Sequence, residues 1–303
     1  MFTYPSSLGV VAGLAASTIW GGALAMTRLA VSGDAPLGAA DVAILRFAGP
    51  AILLFPVLRR AMPRLRLVSP WLLGLMILGG GAPFALVAGT GLETAGAAEA
   101  GALLPGMVPL CVAMVSALLG ERFGLRRGIG LMLIALAAVV IVLPAILAGG
   151  HGRWAGYALL LIAAVMATGY TIALRLSGIG AWEAAAFVST VSLIGFGPVY
   201  LLVMTPALAG VGWHELGAQA AYQGIASGIM APVAFGMAVR RLGAAQASAF
   251  ASLSPGAACA GGFALMGEVP DVLTAIAVIA SGLGVALVAQ PARIPVAGDA
   301  ERM

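Results

Sequence analysis

Apolar runs of about twenty residues recur from one end of this 303-residue chain to the other, and no other feature constrains the fold as tightly. A run of that length crosses the hydrocarbon core of a bilayer as a helix. Ten are legible, at 8–30, 41–59, 70–92, 96–118, 127–148, 155–176, 183–204, 218–240, 244–266 and 271–290. In lipid every backbone N–H and C=O must be satisfied within the protein, which leaves helices or a closed barrel. None of the runs alternates with period two, so the sequence predicts ten transmembrane helices. Composition agrees: 62% of residues are hydrophobic and 9% charged, against roughly 25% charged in soluble domains, and the mean hydropathy is +1.09. The run Leu8 to Ala30 is too long for a signal-peptide core and follows no basic stretch, so it reads as an uncleaved first span.

All fifteen basic residues are arginine. With a cytoplasmic amino terminus, the inside receives Arg59, Arg60, Arg64, Arg66, Arg122, Arg126, Arg127, Arg175, Arg240, Arg241, Arg293 and Arg302. The outside receives Arg28 and Arg153, and Arg46 falls within span two. That bias follows the positive-inside pattern and predicts that both termini are cytoplasmic. The basic pI of 9.6 does not imply a nucleic-acid partner, because the arginines cluster at helix ends rather than along one stripe.

An internal repeat organises the spans. Residues Gly79 to Glu121 form two Gly/Ala-rich runs broken by Pro83, Pro105 and Pro109, and Gly228 to Glu268 echo them with Pro232 and Pro255. An offset of 147 sets Ala97-Ala98-Glu99-Ala100 on Ala244-Ala245-Gln246-Ala247 and Gly120-Glu121 on Gly267-Glu268. The same offset carries Gly22 and Arg28 to Gly169 and Arg175, and Gly49-Pro50 falls near Gly197-Pro198. Each unit holds five spans, an odd number, so the second enters the membrane upside down. The chain divides into residues 1–150 and 151–303, a 5+5 inverted-topology repeat around a central cavity. Proline weakens one helical turn and frees a carbonyl, so Pro83, Pro105, Pro109, Pro232 and Pro255 are candidate hinges for opening one side while closing the other. They also fit static kinks that shape the bundle.

Several motifs carry a resemblance: Ser17-Thr18-Ile19-Trp20-Gly21 in span one, Leu45-Arg46-Phe47 in span two, and spans four and nine with internal proline and Leu-Gly-Glu or Met-Gly-Glu endings. Together they resemble the EamA-type, ten-helix branch of the drug/metabolite transporter superfamily, over about residues 8 to 290. Within that branch the chain is most similar to bacterial inner-membrane exporters of amino acids, aromatic ones included. The resemblance implies that spans 1–4 and 6–9 surround the cavity while spans 5 and 10 support it from one side.

Candidate substrate-binding residues are polar or aromatic groups inside the spans. Trp20 sits near a midplane, away from the interfaces where Trp gathers, and either lines the path or packs between helices. Glu99 opens span four among Ala and Gly; an intramembrane carboxylate is a functional candidate, although a helix N-terminus also favours one. Arg46 could receive a substrate carboxylate, pair with Glu99 or Glu93, or snorkel to headgroups; with Glu99 at one level it would suit a zwitterion. Phe84, Thr90, Leu103, Tyr170, Tyr222, Gln246 and Ser248 complete the set, each equally compatible with ordinary helix packing. Cys111 and Cys259 read as small packing residues rather than a disulfide or metal pair. His151 and His214 fall in outer loops, and no catalytic or metal-ligand spacing is present, so no cofactor and no enzymatic activity is expected.

These observations predict a secondary active or facilitative transporter that exports small metabolites, chiefly amino acids, by alternating access. The main rival is a proton antiporter of lipophilic cations; an intramembrane lipid-modifying enzyme lacks a nucleophile–base pair, and a phosphorylated-sugar carrier would need more core basic groups. The expected partners are a small-molecule substrate and the lipid bilayer. One chain already holds both halves and could work alone, and the oligomeric state stays open at this point.

Overall fold

The computed structural model describes residues 7–33, 35–118, 120–148, 151–242, 247 and 249–289, and every regular element among them is helical. Eight helices or helix runs are long and apolar enough to cross a bilayer, and a bent pair brings the number to nine. The expected tenth, span nine, appears as the shorter apolar stretch Ala251–Met266; its predicted start overlaps residues 243–246 and 248, outside the described set.

Helices α1 (Ser7–Val31), α8 (Leu125–Leu147), α9 (His151–Ser177), α10 (Ala181–Val203) and α14 (Val272–Ala289) are unbroken. The other spans are interrupted, several of them beside a proline. Span two was expected over 41–59, but α2 (Ala39–Leu53) gives way to α3 (Phe55–Leu65) at an 82° bend. Pro56 has no N–H to return to the Ile52 carbonyl, which breaks the ladder there. Past the bend, α3 buries Leu58, Ala61 and Leu65 and turns Arg59, Arg60 and Arg64 outward, the pattern of a helix lying along an interface.

Span three divides into α4 (Pro70–Gly80) and α5 (Ala82–Thr94), with Gly81 extended between them. The Ala82 N–H left over by the break donates to Ser192 Oγ on α10 at 3.0 Å. Span four divides into α6 (Ala97–Leu103) and α7 (Val108–Leu118) around a turn at 104–107. Span eight runs from α11 (Trp213–Gln219) through a π-helical stretch, Ala220–Met230, into α12 (Ala231–Leu242). Span nine ends in α13 (Ser254–Met266). Pro105 lies in the turn between α6 and α7, Pro83, Pro109 and Pro255 each occupy the second position of a helix, and Pro232 follows the π-helical stretch inside a helical run that continues from Trp213 to Leu242. Proline is tolerated in a first turn because its missing N–H would have no partner there.

Short connections place successive spans antiparallel. One end of the bundle, the Arg28 end, gathers the finish of α1, α5 and α13 with the start of α6 and α9; the opposite, Arg175 end gathers the finish of α7, α9 and α12. Helix α1 packs on α12 and α13, α9 on α4 and α5, α2 on α10 and the π-helical stretch, and α8 on α14.

Local geometry repeats between the halves. The four positive-φ glycines among the described residues form two matched pairs, Gly33 (φ 61°) with Gly178 (φ 67°) and Gly120 (φ 88°) with Gly267 (φ 67°). A left-handed residue is costly for anything but glycine; at Gly120 and Gly267 it turns the chain out of a helix and presents the glutamate that follows. The Glu121 N–H bonds to the Ser116 carbonyl and the Glu268 N–H to that of Gly262, closing both ends. Asp41 and Glu183 likewise accept from the N–H of Gly38 and Gly180, three residues earlier.

Candidate functional site

Charged groups meet in a pocket of about 350 Å³ at the Arg28 end, bordered by Arg28, Glu99, Arg153, Cys259, Glu268 and Asp271. Arg28, in the last turn of α1, donates from Nε to Glu268 Oε1 and from Nη1 to the Leu92 and Glu93 carbonyls, each at 2.8 Å. Glu268 Oε2 accepts the Ala97 N–H at 3.0 Å. Glu99, in the first turn of α6, is 8% exposed. Its Oε1 accepts from the Tyr157 hydroxyl at 3.3 Å and lies 3.9 Å from Arg153 Nη2. The Arg153 side chain is largely exposed, so Glu99 is held by one long hydrogen bond and one distant cation. An anionic wall and two guanidinium groups around one small cavity can hold a solute that carries both charges.

Arg46 does not join this group and pairs with neither Glu99 nor Glu93. It points into a second cluster between spans one, two and eight, where Nη1 donates to Gln223 Oε1 at 3.2 Å. Gln223 Nε2 donates in turn to Thr27 Oγ1 at 2.8 Å and to the Ala23 carbonyl at 3.2 Å. One turn earlier, Gln219 Nε2 donates to the Met26 carbonyl at 2.8 Å, while its buried Oε1 has no partner among the described residues. A guanidinium inside a membrane is costly unless something accepts from it; here a neutral amide oxygen does.

The other sequence candidates take separate positions. Trp20 packs on Phe235 with ring centroids 5.5 Å apart. Tyr222 donates to the Ile19 carbonyl at 3.3 Å, one residue from Trp20. Tyr170 lies against Gly80 where α9 crosses α4, and Phe84 packs on the largest apolar cluster. Leu103 is fully buried in that cluster, while Thr90 is exposed. Gln246 and Ser248 fall outside the described residues. His214 lies in the first turn of α11 and His151 opens α9, so both belong to helices rather than loops.

Sequence reasoning missed Tyr157, Asp271 and Gln223 and read Arg28, Arg153 and Glu268 for topology or the repeat alone. The signal for Arg28 and Glu268 was present, since both are repeat landmarks at span ends. Gln219 and Gln223, four residues apart in an apolar run, also marked one polar helix face.

Membrane-length helices, broken spans and polar clusters between helices define a polytopic membrane protein. The chain belongs to the EamA-like transporter family, whose model matches it twice, over residues 7–143 and 154–290. No curated protein matches it. Seven chains of solved structures do. One, described only as the crystal structure of a protein, superposes with a TM-score of 0.60 at 23% identity, over 97% of this chain and 100% of that one. At that identity the likeness concerns the fold alone.

Proposed function

We propose that this protein exports small zwitterionic metabolites, amino acids above all, across the bacterial inner membrane by alternating access. In this reading ten spans form two five-helix halves of opposite orientation, with both termini in the cytoplasm and the Arg28 end facing outward. The observation that carries the substrate class is the pocket at the Arg28 end, where buried Glu99 stands beside Arg28, Arg153, Glu268 and Asp271. A solute with an ammonium and a carboxylate finds both complementary charges there, whereas a lipophilic cation would face two guanidinium groups. Arg46, held by one amide partner deeper in the bundle, supplies a second carboxylate contact along the path. Trp20, Phe84, Thr90, Leu103, Tyr170, Tyr222, Gln246 and Ser248 complete the proposed set of path residues, and the prolines mark where half-helices tilt.

Purified protein in proteoliposomes, preloaded with unlabelled solute, tests the reading. Counterflow of labelled amino acids that is saturable and falls about tenfold or more in Glu99→Gln supports it. Repeating the assay with a pH gradient separates proton exchange from downhill export. Absence of counterflow for every amino acid, together with movement of lipophilic cations, overturns it.

A further inference from the structure

Two side chains fasten the Arg28 end, and the residues that match them at the other end are apart. Arg28 and Glu268 tie together the last turn of α1, the end of α5, the start of α6 and the exit from α13. The backbone groups they engage are helix-end groups: the Leu92 and Glu93 carbonyls close α5, and the Ala97 N–H opens α6. Such groups have no partner within their own helices, so the side chains satisfy them while holding the four ends together.

An offset of 147 carries Arg28 to Arg175 and sets Glu121 on Glu268. The settings match closely. Each arginine lies in the last turn of its helix, and each glutamate follows a left-handed glycine. The contacts do not match. Arg175 is exposed and has no partner among the described residues, and the exposed Glu121 lies 3.9 Å from Arg127 of the following helix, α8.

We infer that Arg28–Glu268 and Arg175–Glu121 are alternating latches: the first holds the Arg28 end shut in this structure, and the second holds the Arg175 end shut once the first has opened. The inference rests on the transport reading for the existence of two states, but it requires no particular solute. Exchanging one charge-assisted set of contacts for a matched one keeps the two states close in free energy. A bound solute then needs only a modest difference in affinity to move the population. The groups freed on opening border the pocket that holds Glu99, so a charged solute there competes with the latch for Arg28 and Glu268.

Cys259 also borders that pocket, which makes its thiol a reporter of opening in a Cys111→Ala background. Its modification rate is measured with a cationic and an anionic methanethiosulfonate, without solute. Glu268→Gln is expected to raise both rates, severalfold to about tenfold, the size of effect that losing one charge-assisted contact produces. Arg28→Lys keeps the charge but cannot reach a carboxylate and two carbonyls together, so it gives a smaller rise. Should Glu268→Gln aggregate, Arg28→Lys carries the same test. Glu121→Gln weakens the opposite latch and lowers both rates below the parent. Unchanged rates in folded Glu268→Gln or Arg28→Lys, opposite changes with the two reagents, or no response to Glu121→Gln would each overturn the inference. A protein that shows this labelling pattern yet carries no amino acid keeps the latches and loses the substrate reading; one that carries amino acids without the pattern does the reverse.

Discussion

Glu99 was legible as a candidate because a carboxylate inside an apolar run is unusual whatever surrounds it. Its partners were not legible. Tyr157 and Arg153 open a different helix, and only the fold brings them to α6. Arg46 was visible for the same reason as Glu99, but of the partners weighed for it neither Glu99 nor Glu93 stands there and an amide does, because the register of spans two and eight sets the neighbour and one-dimensional spacing does not. Replacing Tyr157 by Phe removes the hydrogen bond to Glu99 and leaves the carboxylate more dependent on Arg153. Counterflow is expected to fall by a smaller factor than in Glu99→Gln, and the remaining flux to become more sensitive to salt. Gly79 presents the opposite case, a residue with no chemistry and a strict size limit. A Cβ there would collide with the Met166 carbonyl oxygen of α9, a backbone atom that cannot swing away. Gly79→Ala should therefore destabilise by about 1–3 kcal/mol, read as a lower midpoint of thermal aggregation in detergent.

Broken spans distinguish this bundle at the level of its elements, and each break leaves polar backbone that something must satisfy. Ser192 does so for the Ala82 N–H between α4 and α5. Ser192→Ala leaves that donor buried without an acceptor, at a cost of about 1–3 kcal/mol, and the same thermal assay in detergent should show it. The left-handed glycines are tested as a pair. Gly120→Ala and Gly267→Ala each force an unfavourable conformation costing about 1–2 kcal/mol. The Gly267 variant should also disturb Cys259 labelling, since the cap that it closes aims Glu268 at Arg28.

The sequence pattern marked spans three, four, eight and nine through proline and glycine, yet placed the prolines in mid-helix. Pro83, Pro109 and Pro255 instead stand where a ladder restarts and Pro105 in a turn, and tertiary partners such as Ser192 satisfy the backbone at such breaks. The bend after α2 was hidden for a related reason: the apolar run continues to residue 58, and only the interfacial arginines reveal that the chain has turned.

For the whole molecule, the matching of distant landmarks carried most of the information. An offset read from Gly-Glu endings and arginines identified residues that share cap geometry in the two halves, and the family match repeats over the same halves. It did not say which end would be fastened, because both ends carry the same landmark residues and the choice belongs to the state of the molecule. Orientation makes a separate prediction. With Arg59, Arg60, Arg64, Arg122, Arg126 and Arg240 on the Arg175 end, a cysteine placed at the exposed Leu118 should react with impermeant reagents only from the cytoplasmic side, and one at Val269 only from outside.

Alternation itself is measured most directly by spin-label distances at matched positions: Leu29 with Leu265 near the Arg28 end, and Leu176 with Leu118 near the Arg175 end, all exposed. Addition of a transported amino acid, or introduction of Glu268→Gln, should lengthen the first distance while shortening the second. Two distances that move together, or neither moving in a protein that binds solute, would contradict the account.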